Sequence, residues 1–258
     1  MRLLTAALLL LQDGAAPPWS ERPDLRAGLD TLYGGSFPAA AAYFAELGAK
    51  DTSDPAPPVF EASAYIWWAA ALEDDGYEAH RIDALLERAM ERARAGPRSP
   101  ARDFWLAAAL GYRARERDLH GSSWGAAKDG KAMRDAYARV LARDSACGDC
   151  YLGLGVYQYG LGRASALARF VAKLAGLGRG DAARGIGYLR RAAREGDLSK
   201  VEAEWLLAAA LRREAGRDPG ARAALEREAR GFVEGLAGRY PGNPVFQRFL
   251  REVPESPP

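Results

Sequence analysis

The chain has 258 residues, 48% of them hydrophobic, which is enough apolar surface for one large core or two small ones. Its formal net charge of +2 excludes a general polycation for nucleic acid and a polyanion for basic partners, so any electrostatic preference must be local. The composition is that of a folded chain, not a disordered one.

Arg2 followed by the apolar run Leu3–Leu11 and a small, proline-rich exit predicts a secretory leader over residues 1–16. The alternative is an N-terminal tail on a cytoplasmic protein. The run is far shorter than the ~20 residues that span a bilayer. Residues 17–253 are expected to form one helical repeat domain, and residues 254–258 a flexible tail.

From Leu25 to Pro55 the chain reads as a helix around Gly28, a break at Gly34-Gly35, a second helix carrying Ala40 and Phe44, and a stop at Asp51-Thr-Ser-Asp-Pro. Phe60–Glu73 is a helix crowded with alanine, Tyr65, Trp67 and Trp68, ending at Asp74-Asp75-Gly76. Ile82, Leu85, Leu86, Ala89, Met90 and Ala93 recur at three- and four-residue steps and give one apolar stripe. Further helical segments surround Trp105, Tyr151 and Trp205. Gly76, Gly121, Gly160 and Gly216 are expected to be breaks, because a residue without Cβ ends a helix readily. Pro97–Pro100, Arg217–Gly220 and Pro241–Pro244 read as turns. The widest interval, from Gly160 to Gly216, predicts an extra element between Gly160 and Gly180. Alternation typical of strands is absent, so the fold class is all-α. Aromatic residues at helical spacing read first as core, and a ligand box is the alternative for the tryptophans.

Enzyme motifs are missing: no phosphate-binding loop, no His-Glu-x-x-His and no dinucleotide fingerprint occurs. Gly121-Ser-Ser-Trp-Gly125 satisfies Gly-x-Ser-x-Gly, but no strand precedes it and both histidines, His80 and His120, lie upstream. We therefore assign no catalytic residue, metal site or cofactor. Cys147-Gly-Asp-Cys150 precedes a helix and admits three readings: a structural disulfide or packed thiols, a redox pair, or half of a zinc site. Tyr151–Gly180 contains no acidic residue but carries Arg163, Arg169, Lys173 and Arg179, while Leu167, Phe170, Val171 and Leu174 share a helical face. Such a basic insertion either packs on its neighbour, docks an acidic partner or makes a peripheral membrane contact.

Gly28, Ala40 and Phe44, then Trp105, Ala109 and Tyr112, then Tyr151, Leu154 and Gly155 with Leu189 and Ala192, and finally Trp205 and Ala209, form a pattern that resembles tetratricopeptide repeats. Cys150–Leu211 is also similar to a bacterial branch of exported repeat proteins, and more loosely to eukaryotic inclusion-body-clearance repeat proteins. The intervals between breaks exceed the roughly 34 residues of a standard unit. The resemblance implies a right-handed superhelical solenoid of antiparallel helix pairs, and a non-enzymatic scaffold that binds a protein, peptide or partner helix in a concave groove. Projected groove positions are Leu29, Tyr33, Leu106, Leu110, Arg113, Val156, Tyr159 and Arg213, with Arg92 on the outer face. The family's lysine and asparagine clamp has no counterpart. Nucleic acid is not an expected partner. The cell envelope or periplasm is the expected location, a membrane-surface adaptor the alternative function, and a redox or other enzyme the last.

Overall fold

A computed structural model describes residues 22–165, 168–169, 172 and 176–252. The expected leader and tail, Lys173, and the residues Leu167, Phe170, Val171 and Leu174 of the expected apolar face lie outside the described residues. Among the described residues the structure is all-helical. The helices are α1 (Pro23–Tyr33), α2 (Phe37–Lys50), α3 (Ala56–Leu72), α4 (Ala79–Arg94), α5 (Pro100–Leu119), α6 (Ser123–Leu141), α7 (Cys150–Arg163), α8 (Ala182–Glu195), α9 (Lys200–Ala215), α10 (Arg222–Arg239) and α11 (Pro244–Glu252).

Each helix packs on the next in sequence, and the odd-numbered ones also touch in turn: α1 on α3, α3 on α5, α5 on α7 and α7 on α9. Starts and stops follow local chemistry. Pro occupies the first turn of α1, α2, α3 and α5, where its missing N–H costs nothing. Ser99 caps α5 by accepting from Arg102 N at 3.2 Å, and Asp181 caps α8 by accepting from Arg184 N at 3.0 Å. Helix α3 is apolar nearly all round and buried along most of its length, so it sits in the middle of the packing rather than at its edge. α1 and α2 meet where Gly28 faces Phe44; a Cβ there would strike the ring.

Gly160 does not break the chain. α7 runs through it to Arg163, and a Cβ on Gly160 would meet nothing within 4 Å, whereas nearby Gly162 and Gly185 serve close approach. A Cβ on Gly162 would lie 2.5 Å from Ala182 N, and one on Gly185 would lie 2.5 Å from Tyr159 N. The α7 and α8 backbones thus meet directly, which no larger residue would permit. The connection from α7 to α8 includes helical backbone at residues 168–169 and 172, and Leu177, whose carbonyl accepts from Tyr157 Oη at 2.6 Å.

The end of the chain returns to its beginning. α11 packs on α10 and also on α3. The turn before it reaches α1: Asn243, fully buried, donates from Nδ2 to Tyr33 O at 3.0 Å and caps α11 by accepting from Val245 N at 3.0 Å. Tyr240 Oη donates to Asp30 at 3.1 Å, and a Cβ on Gly35, which has φ +88°, would meet Gly242 O at 2.5 Å. Arg26 of α1 also pairs with Asp197, in the turn before α9, at 2.5 Å.

Candidate functional site

The odd-numbered helices bring their facing side chains together, and much of that face is filled from within. Leu29, Tyr33 and Leu110 are buried, and Leu106 is half-buried. Tyr112 Oη donates to Glu202 Oε2 at 2.5 Å and lies 3.3 Å from Ser63 Oγ, joining α5, α9 and α3. Burial pushes the Glu202 carboxyl above its ordinary range, against the hydrogen bond from Tyr112 and the charge of Arg115. Burial raises the Tyr33 and Tyr112 hydroxyls well above theirs, the Glu202 charge adding to both.

Arg113 lies buried among α4, α5 and α6. Its guanidinium grips Asp129 through two bonds of 2.8 Å, reaches Glu87, and shares Asp129 with Arg117 Nη1 at 2.7 Å. Tyr159 ties α7 to α9, donating to Glu214 at 2.9 Å, and burial pushes its hydroxyl up to about 12. Val156 is 43% exposed. Arg163 is committed to Glu214, Nε to Oε1 at 2.8 Å, and Arg169 donates to Ala164 O at 2.8 Å; Arg179 is exposed. Arg92, expected on an idle outer face, instead donates to Asp54 O at 3.0 Å and holds the turn between α2 and α3.

Of the groove positions, Arg213 reaches an open concavity. This cleft of about 480 Å³ lies between α9, which contributes Trp205, Ala209, Arg212 and Arg213, and α11, which contributes Val245, Arg248, Phe249 and Glu252. Trp205 packs on Phe246 and Phe249, with ring centroids 5.6 and 5.5 Å apart, and on Trp67 of α3 at 5.9 Å. Arg212 pairs with Glu252 at 2.9 Å and stands 5.2 Å over the Phe249 ring. Arg213 is exposed and makes no ion pair with a described residue. Trp205, Ala209 and Arg213 follow one another at helical spacing along α9; the sequence marked the first two as repeat-pattern positions and Arg213 as a groove position. The α11 half was missed: Pro241–Pro244 was read as a turn, and Val245, Phe246, Phe249 and Leu250 were the helical signal that follows it.

Elsewhere Trp67 and Trp105 serve packing. Both are buried, whereas Trp124 at the start of α6 is 55% exposed. Of Gly121-Ser-Ser-Trp-Gly125, Gly121 and Ser122 form the turn from α5 and the last three residues are the first turn of α6, so a helix and not a strand precedes the motif. Cys147 and Cys150 are joined in a disulfide, and both are buried. Between them, Gly148 backs onto Glu195 O, and Asp149 Oδ1 accepts from Asp197 N at 2.7 Å, Ser199 N at 3.0 Å and Ser199 Oγ at 2.7 Å. The bridged loop therefore pins the turn that launches α9. Among the described residues no helix is long and apolar enough to cross a membrane, and no three His, Cys, Asp or Glu side chains converge as a metal site. No protein-family model matches the chain, and no curated protein matches it.

Proposed function

We propose that this protein is a non-enzymatic interaction scaffold, a right-handed solenoid of antiparallel helix pairs of the tetratricopeptide kind, exported to the cell envelope, that binds a peptide or partner helix along its inner face. The observation that carries the reading is the cleft between α9 and α11. It combines an aromatic floor, Trp205 and Phe249, with the exposed guanidinium of Arg213, residue types that dominate binding hot spots. The run Leu3–Leu11 after Arg2 supports export, and the bridged Cys147 and Cys150 suit an oxidising compartment.

A photoreactive amino acid at Arg213 tests the binding reading in the source cell's envelope. It should cross-link a discrete partner, while the same group at Arg94, at the far end of α4, should not. Equal labelling from both sites, or none from either, refutes the cleft. The mature N-terminus should fall between Gly14 and Trp19; protein recovered from cytosol with Met1 intact removes export.

A further inference from the structure

α11 is held as a ligand is held. Nine residues are too few for an isolated helix to persist in water, so α11 owes its helix to the surface beneath it. Its apolar residues lie on one side, and it packs on α10, the helix before it, as well as on α3. Phe246 completes a triangle with Trp67 of α3 and Trp205 of α9, 5.6 Å from each, and Phe249 lies on Trp205. Between the two rings in sequence, Arg248 reaches the end of α3, donating to Ala70 O at 2.5 Å and pairing with Glu73 at 2.8 Å. A cation on the last carbonyls of α3 meets the negative end of that helix. Along the α9 side the seat is wider than α11 fills, leaving the cleft at Ala209 and Arg213 open beside it.

We propose that the α3–α9 face beneath α11 is a helix-binding surface, and that α11 occupies it in cis where a partner's amphipathic helix would lie. The partner's chemistry follows from the occupant: two aromatic residues three positions apart, a branched aliphatic residue before the first, and an arginine immediately before the second, placed to cap α3. The open cleft gives an incoming helix a place to start before α11 leaves. The inference rests on the scaffold reading above and adds what the scaffold binds and how access is restrained. A partner must outcompete a tethered rival, so its apparent affinity is reduced by the fraction of time α11 is seated.

A fluorescein-labelled peptide of residues 241–252, added to the full chain, tests this. The Phe246→Ala protein should bind it at least about tenfold more tightly than the unaltered protein does, because its own α11 sits less firmly. A peptide carrying Phe246→Ala or Arg248→Ala should lose that binding. Equal binding to both proteins, or none by a Phe246→Ala protein of unaltered helix content, overturns the proposal. If that variant does not fold, hydrogen exchange on the unaltered protein decides: α11 amides opening before those of α3 uphold it, and exchange of both only in global unfolding refutes it. Peptide binding without cross-linking at Arg213 keeps this surface and removes the cleft as the partner's site.

Discussion

Replacing Arg113 with alanine should be strongly damaging, through folding and not through lost contact with a partner. Asp129 is 4% exposed and keeps both oxygens on Arg113, with Arg117 as its second cation. Removing one partner of a buried ion pair costs about 3–5 kcal/mol, because the other charge stays buried. Arg117 still reaches one oxygen of Asp129, so about 2–4 kcal/mol is the figure for this site. At roughly 2–4 °C per kcal/mol for a chain of this size, the melting temperature should fall by about 4–16 °C. Urea denaturation followed by far-ultraviolet dichroism measures it. The double variant Arg113→Ala with Asp129→Ala should recover part of the loss, since the stranded charge goes too. A loss under about 1 kcal/mol, or a double variant worse than the single, would refute the network as described.

Glu202 makes stability depend on pH. Its carboxyl titrates higher folded than unfolded, so its contribution is fully present below the unfolded value of about 4.3 and is lost as pH rises through the folded one. Glu202→Gln should flatten the urea midpoint between pH 4 and 8; an unchanged slope places the proton elsewhere. Tyr112→Phe removes the donor to that carboxyl and should cost about 1–3 kcal/mol at neutral pH by the same denaturation assay. Gly185→Ala drives a Cβ into the α7 backbone and should cost about 1–3 kcal/mol, whereas Gly187→Ala, which meets nothing within 4 Å, should not destabilise. Cys147 and Cys150 should resist alkylation until the protein is both unfolded and reduced, as mass spectrometry will show; labelling of native protein would contradict their burial.

Helices α1, α2 and α4 were legible because one local rule determines each. Small and aromatic residues at fixed offsets mark the contact of Gly28 with Phe44, and an uninterrupted three-four spacing marks Ile82 to Ala93. Gly160 misled because a glycine without Cβ can end a helix but need not: it lies inside α7 with nothing within 4 Å of where its Cβ would be, while Gly162, two residues on, is the one that admits the α8 backbone. Arg113 shares a helical side with Leu106 and Leu110, but which neighbours an arginine meets depends on where Asp129 and Glu87 arrive from other helices. Half of the cleft was readable, since Trp205, Ala209 and Arg213 follow one stripe. The other half was not, because that α11 would fold back on α3 is a fact about distant segments that no local window contains.

Arrays of stacked units usually lengthen by copying a unit, because each meets only its neighbours. Here Gly242 lies against Gly35, and Asn243 holds the carbonyl of Tyr33. Inserting one more pair anywhere between them would carry those groups apart and strand a buried amide. Among the described residues the length of helical chain between Tyr33 and Asn243 is therefore constrained by a closure contact, and lineages of this chain are expected to vary their loops and outer faces while keeping that length constant.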